Sequence, residues 1–269
     1  MKRLLLVLAA ALSTAVLTRA ADDNFPLARL DKSPRHLEWV TVKHDNREVG
    51  CYVGYPERSD KAPAVLVIHE IFGLSNWARS VVDEFAEAGY IAIAPDLLWG
   101  LGAKGGGTSE LTSSEISQKI GELTRNHADQ ITADLNAAAD YVTKLPACNG
   151  KLVVIGFCWG GGQSFRYATN NPDLKAAFVC YGTPPSADDM AKIKAPVYGF
   201  YAGNDARVSA TVPKATEAMK AAGKTYETVI YDGAGHGFMR AGEAPDANEA
   251  NKKAHDAAWA RVKEILGKI

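Results

Sequence analysis

A chain of 269 residues with 47 % apolar and 23 % charged side chains carries enough apolar matter for one large hydrophobic core, which excludes a disordered reading. The formal net charge is −1 and no dense basic run occurs, so neither nucleic acid nor an anionic membrane surface is an implied partner. The four cysteines, Cys51, Cys148, Cys158 and Cys180, form no C-x-x-C and no cluster with histidine at zinc spacing, so no metal site is expected.

Lys2 and Arg3 precede an apolar stretch over residues 4–17, broken only by Ser13 and Thr14, and Thr18 and Ala20 put small residues at the −3 and −1 positions of a cut after Ala20. This pattern predicts a signal peptide over residues 1–20 and an exported protein, periplasmic or secreted. The apolar run is shorter than the roughly 20 residues that span a bilayer, so no stable membrane insertion is expected once it is removed. Removal takes Lys2, Arg3 and Arg19 and leaves 27 basic against 31 acidic side chains. In an oxidising compartment a Cys51–Cys148 disulfide is open, because pairing cannot be read from spacing. Cys51 and Cys180 lie in apolar runs and read as core residues.

Residues 21–36 contain two prolines and no hydrophobic period, and are expected to form a linker on the surface ahead of one domain over residues 37–269. Segments 37–42 and 48–55 alternate as an antiparallel pair of strands. From residue 64 the pattern changes to continuous apolar strands, 64–68, 90–94, 152–155, 177–181, 197–202 and 227–231. Amphipathic stretches at 77–88, 114–145, 161–169, 212–222 and 248–266 separate them. That order predicts an α/β fold with a mostly parallel sheet covered by helices on both faces. Residues 100–113 form a glycine-rich, flexible insertion after a strand, either a mobile rim to an active site or a plain surface loop.

The stretch K-L-V-V-I-G-F-C-W-G-G-G-Q, residues 151–163, organises the chemistry. A buried strand stops at Gly156, and Cys158 stands between that glycine and Gly160, Gly161 and Gly162. In a nucleophile elbow the reactive residue sits on a strained turn between strand and helix, and bare neighbours let the backbone pass. A helix starting there aims free amide groups at the sulfur, an arrangement that favours the thiolate. A small buried cysteine beside a glycine-rich connection is the bland alternative.

A thiol nucleophile needs a base, and the base needs an orienting acceptor. His236 lies in a glycine-rich loop directly after a strand, whereas His255 falls in the C-terminal helical pattern. Asp205 follows the strand 197–202 and supplies the carboxylate. The loop after strand 64–68 reads H-E-I-F-G, so the amides of Ile71 and Trp159 are the candidate oxyanion donors. Glu70, in the same loop, is an acid at the mouth of a crevice, where it is costly without a partner.

The segments H-E-I-F-G (69–73), A-P-D-L (94–97), G-F-C-W-G-G (156–161), G-N-D-A-R-V (203–208) and Y-D-G-A-G-H-G-F (231–238) occur in the order and spacing of the dienelactone hydrolase family. The chain resembles that family from about residue 38 onward. The resemblance implies a three-layer α/β-hydrolase fold with an eight-stranded sheet, a triad of Cys158, Asp205 and His236, and no metal or organic cofactor. It also implies that Glu70 contacts the resting thiol and is displaced by substrate, and that Arg240 grips a substrate carboxylate. Phe72, Tyr181 and Phe238 are expected to bind substrate beside Arg240. A second substrate-binding arginine of the family's chlorocatechol-pathway enzymes would fall near Gly100, where this chain reads D-L-L-W-G and has none. The leading reading is a monomeric hydrolase of lactones or small esters acting through a cysteine thioacyl intermediate. The other is a non-catalytic, thiol-dependent binding or redox protein on the same fold.

Overall fold

The computed structural model describes residues 24–269, so the expected signal peptide lies outside the described residues. The chain runs α1 (Asn24–Lys32), β1 (Leu37–His44), β2 (Arg47–Gly54), β3 (Ala62–Ile68), α2 (Asn76–Glu87) and β4 (Ile91–Pro95). It continues through α3 (Ser113–Asn126), α4 (Ala128–Thr143), β5 (Cys148–Phe157), α5 (Trp159–Asn170), β6 (Ala176–Cys180) and α6 (Ala187–Met190). The last elements are β7 (Val197–Ala202), α7 (Ala206–Ser209), α8 (Val212–Ala221), β8 (Tyr226–Tyr231), α9 (Phe238–Ala241) and α10 (Glu249–Leu266).

Burial along β3, β5 and β6 is continuous rather than alternating, which is what strands covered on both faces require. The eight strands form one sheet in the order β1-β2-β4-β3-β5-β6-β7-β8. β2 runs against both of its neighbours, and the pairs from β4 to β8 are parallel. Two apolar layers fill the space between sheet and helices. One joins Ile116, Leu135, Phe165 and Met219, from α3, α4, α5 and α8, to one face. The other joins Trp77, Phe85, Ala258 and Val262, from α2 and α10, to the opposite face. This is the three-layer arrangement expected of the sequence, and it gathers the ends of β3, β5, β7 and β8 on one side of the sheet.

Two expectations change and one open question closes. Residues 24–32 form a helix rather than an irregular linker: Phe25 and Leu30 pack on the α2 layer, and the Nε and Nη2 of Arg35 donate to Asp83 at 2.6 and 2.8 Å. Pro26 does not prevent this, because a proline in the first turn removes no intrahelical bond. The expected helix over 114–145 is two helices, which part at His127, whose backbone (φ −137°, ψ 37°) leaves the helical region. The disulfide left open does not form, since all four cysteines are free.

Candidate active site

Cys158 caps the start of α5 with φ 56° and ψ −117°, a conformation that L residues rarely adopt and that surrounding structure must enforce. The enforcement is steric. A Cβ on Gly156 would stand 1.9 Å from the Gly160 carbonyl oxygen, and one on Gly160 would stand 2.3 Å from the carbonyl oxygen of His69. Strand, turn and helix can therefore cross only if both positions are bare. The Cys158 amide donates to the Cys180 carbonyl at 3.0 Å, tying the elbow to β6.

Asp205 follows β7 and caps α7 by accepting from the Val208 amide at 3.3 Å. Its other oxygen accepts from His236 Nδ1 at 2.5 Å, so a carboxylate that begins a helix also orients an imidazole. His236 lies between β8 and α9, where the Gly235 amide donates to Asn251 Oδ1 at 2.9 Å and fixes the loop on α10. Its Nε2 faces Cys158 Sγ at 3.1 Å. Since the carboxylate only accepts, Nδ1 carries a proton and Nε2 is turned to the sulfur. The hydrogen bond to Cys158 raises the imidazole pKa, burial opposes it, and the bond to Asp205 adds to the rise, bringing it to about 9. The three side chains that sequence reasoning picked from loops 47 and 31 residues apart thus meet in one hydrogen-bonded line.

Glu70 is buried, and burial pushes its carboxyl up from the usual range while Arg240 pulls it back. Arg240 Nε donates to Glu70 Oε2 at 2.9 Å, and the Tyr181 hydroxyl stands 3.5 Å from Oε1. The implied contact of Glu70 with the thiol is replaced by these partners, and the thiol is bonded to His236. A cation at hydrogen-bond distance explains how an acid is tolerated there. Neighbouring His69 is fully buried; its Nδ1 lies 2.7 Å from the Glu70 carbonyl, and its ring stacks on Trp159 with centroids 5.4 Å apart. It thereby links the two segments that carry the Ile71 and Trp159 amides. Trp159 is the first residue of α5, so its amide has no acceptor within the helix.

The expected substrate-binding residues separate. Phe72 is exposed, and the guanidinium carbon of Arg240 lies 5.1 Å from its ring centroid. Tyr181 and Phe238 are buried and correct the expectation that they face substrate. Tyr181, at φ 40°, stands edge-on to His236 with centroids 5.0 Å apart and to Phe238 at 5.3 Å, so both rings support the imidazole from within the fold. The glycine-rich insertion is tied down: the Thr108 amide and hydroxyl donate to Asp96 at 2.7 and 2.8 Å, and the Leu74 amide donates to Thr108 Oγ1 at 2.9 Å. Thr108 and Ser109 border a cleft of about 750 Å³ that Phe72 and Arg240 also line, so the insertion is its rim. Trp39, Arg79 and Trp99, which border the same cleft, escaped sequence reasoning because they come from three separate elements with no shared motif.

The profile of the dienelactone hydrolase family matches residues 49–269. A protein of Methylorubrum extorquens that carries the name carboxymethylenebutenolidase is 36 % identical over 212 residues, 74 % of this chain and 71 % of that one. A Salmonella typhi protein of the same name is 33 % identical over 238 residues, 84 % of each chain. A Klebsiella pneumoniae crystal structure named for dienelactone hydrolase superposes with a TM-score of 0.76 at 26 % identity, over 87 % of this chain and 99 % of that one. With a matching profile over most of its length, relatives at this identity and the same three-layer sheet, the chain belongs to the dienelactone hydrolase family.

Proposed function

We propose that the protein hydrolyses a lactone or small carboxylic ester through a thioacyl intermediate on Cys158. The observation that carries this reading is the line Asp205, His236, Cys158, with spacings of 2.5 and 3.1 Å, on an elbow held at positive φ. The Cys158 thiol gives its proton to His236 Nε2 as Sγ attacks the carbonyl carbon, the C–S bond forms while the carbonyl π bond opens, and the developing oxyanion is met by the Ile71 and Trp159 amides. As the ester C–O bond breaks, His236 delivers its proton to the departing oxygen, which in a lactone stays tethered. Water then attacks the thioester, His236 takes the proton, and the C–S bond breaks to release the acid and restore the thiol.

Glu70 and Arg240 form the gate of this cycle. A substrate carboxylate that takes Arg240 leaves Glu70 without its cation, and a buried carboxylate without a partner draws a proton. The leader pattern of Lys2, Arg3 and the apolar run behind them supports export to the periplasm or beyond.

Purified protein is to be incubated with p-nitrophenyl acetate and with dienelactone, and the acylated enzyme trapped by acid quench for intact mass. The expected result is turnover of at least one substrate and a mass adduct that disappears in Cys158→Ala. Turnover that survives in Cys158→Ala overturns the thioacyl route, and absence of turnover with a reversibly oxidised Cys158 favours the redox reading.

A further inference from the structure

The cleft adjoins the Cys158–His236–Asp205 line through Arg240, which pairs with Glu70, and its own lining lies outside those three residues. At one end are Phe72 and Arg240, and a Cβ built on Gly237, next to His236, would stand 4.0 Å from both Arg240 and Glu70. At the other end are two tryptophans and an arginine. Trp39 of β1 is 46 % exposed; its ring is 5.4 Å from that of its cross-strand partner Tyr52 and 5.9 Å from that of Trp99. Trp99 lies flat on β2 at Gly50, where a Cβ would come within 2.3 Å of its ring. The bare backbone at Gly50 is what lets an indole form this wall.

Arg79 projects from the first turns of α2, with its guanidinium 5.3 Å from the Tyr52 ring centroid and bonded to the Asn76 side-chain oxygen. Among the described residues it forms no ion pair. The acid on this cleft, Asp96, is 2 % exposed and accepts from Thr108 and from the Leu98 amide, so it serves the fold rather than Arg79. The N-terminus of α2, capped by Ser75, borders the same space and adds positive potential. Aromatic walls, an arginine without a carboxylate and a helix N-terminus make a recognition surface for a flat anion.

We propose that the lobe formed by Trp39, Trp99 and Arg79 is a specificity subsite for an aromatic group bearing a carboxylate, held away from the scissile bond. The inference rests on the hydrolase reading for its place in catalysis: the preferred substrates are aryl esters or aryl-substituted lactones whose carboxylate meets Arg79. A carboxylate close to the reacting carbonyl meets Arg240 instead. The positive charge that the chain lacks near Gly100 is thus supplied from α2, on a different element.

Binding is tested apart from turnover by titrating the protein with 2-naphthoate and its neutral analogue 2-naphthamide, read by tryptophan fluorescence and calorimetry. Wild type is expected to prefer the anion about tenfold, the usual worth of a charge-assisted contact. Arg79→Gln should bring the two ligands to equal affinity, Arg79→Lys should keep a preference, and Trp39→Ala should weaken both. Equal affinities in wild type, or a preference that persists in Arg79→Gln and vanishes in Arg240→Ala, would overturn the subsite. The ratio of kcat/KM for 6-acetoxy-2-naphthoate to that for 2-naphthyl acetate should show the same dependence on Arg79. Selective naphthoate binding without hydrolysis of either ester would sink the hydrolase reading and leave the subsite standing.

Discussion

His236 is held at both ring nitrogens, and its titration therefore reports on the whole line of three side chains. Its folded pKa of about 9 lies above its ordinary value of 6.5. Below pH 6.5 the folded and unfolded states are both protonated and the full stabilisation is present. Between 6.5 and 9 only the folded state keeps the proton, and above 9 the contribution is gone. Wild-type stability should therefore fall more steeply from pH 6.5 to 9 than that of His236→Gln, and parallel urea-derived profiles would refute the coupling. At Arg240 the paired acid complicates the simple deletion, because Glu70 is left buried without its cation. In a Glu70→Gln background that penalty is removed. There Arg240→Ala should cost an anionic lactone about 10- to 100-fold in kcat/KM, the worth of a charge-assisted bond, and cost a neutral ester of similar size much less. Equal losses on the two substrates would count against a carboxylate-binding role. The sequence disclosed these residues because each motif is local: a glycine two positions either side of Cys158, or a strand ending at Asp205, is visible without knowing what it will meet. It did not disclose that Glu70 turns to Arg240, 170 positions away, because such a pairing is a property of the packed loops.

Among the elements, α1 shows what local patterning conceals. Its sequence contains Pro26 and little hydrophobic period, and its place is set by an ionic anchor together with Phe25 and Leu30, which pack on the α2 layer. Arg29 and Arg35 both reach Asp83 of α2, at 2.8 and 2.6 Å, and the Ser33 hydroxyl donates to the same carboxylate at 2.5 Å. Burial pushes the Asp83 carboxyl up, but the bonds from Arg35 and Ser33 and the charge of Arg29 outweigh it, so it lies below its usual value. The stability it contributes is present above pH 3.8 and is lost as pH falls through the lower folded value. Arg35→Ala should destabilise the protein by about 1.5 to 3 kcal/mol, the range for bonds to a charged group, measured by urea unfolding at pH 7. A change within about 0.5 kcal/mol, as exposed substitutions give, would show that α1 is not anchored there. The central strands were legible for the opposite reason. Runs such as Leu152 to Phe157 are apolar on both faces, and only a doubly covered sheet accommodates that. The break between α3 and α4 carries no glycine or proline, so nothing in R-N-H-A announced it.

At the scale of the whole molecule, the parallel part of the sheet and its antiparallel edge divide the work. β3, β5, β7 and β8 deliver Glu70, Cys158, Asp205 and His236 from their ends, while β1 and β2 carry Trp39 and the platform under Trp99 at the far side of the cleft. The distance between these regions in the sequence is why the line of Cys158, His236 and Asp205 was readable and the cleft was not. The N-terminal leader is a separate matter. If residues 1–20 are a signal peptide, cleavage after Ala20 removes none of the described residues, and α1 keeps its contacts with Asp83 and Glu87. The exported protein should then begin at Ala21, and a recombinant chain starting there should show the melting temperature and esterase activity of the native material. The native N-terminus is to be read by intact mass and by Edman chemistry on protein recovered from periplasmic and extracellular fractions. Met1 retained on protein in the cytoplasmic fraction would overturn the export reading, and a truncated chain that melts lower would show that the leader contributes to the fold.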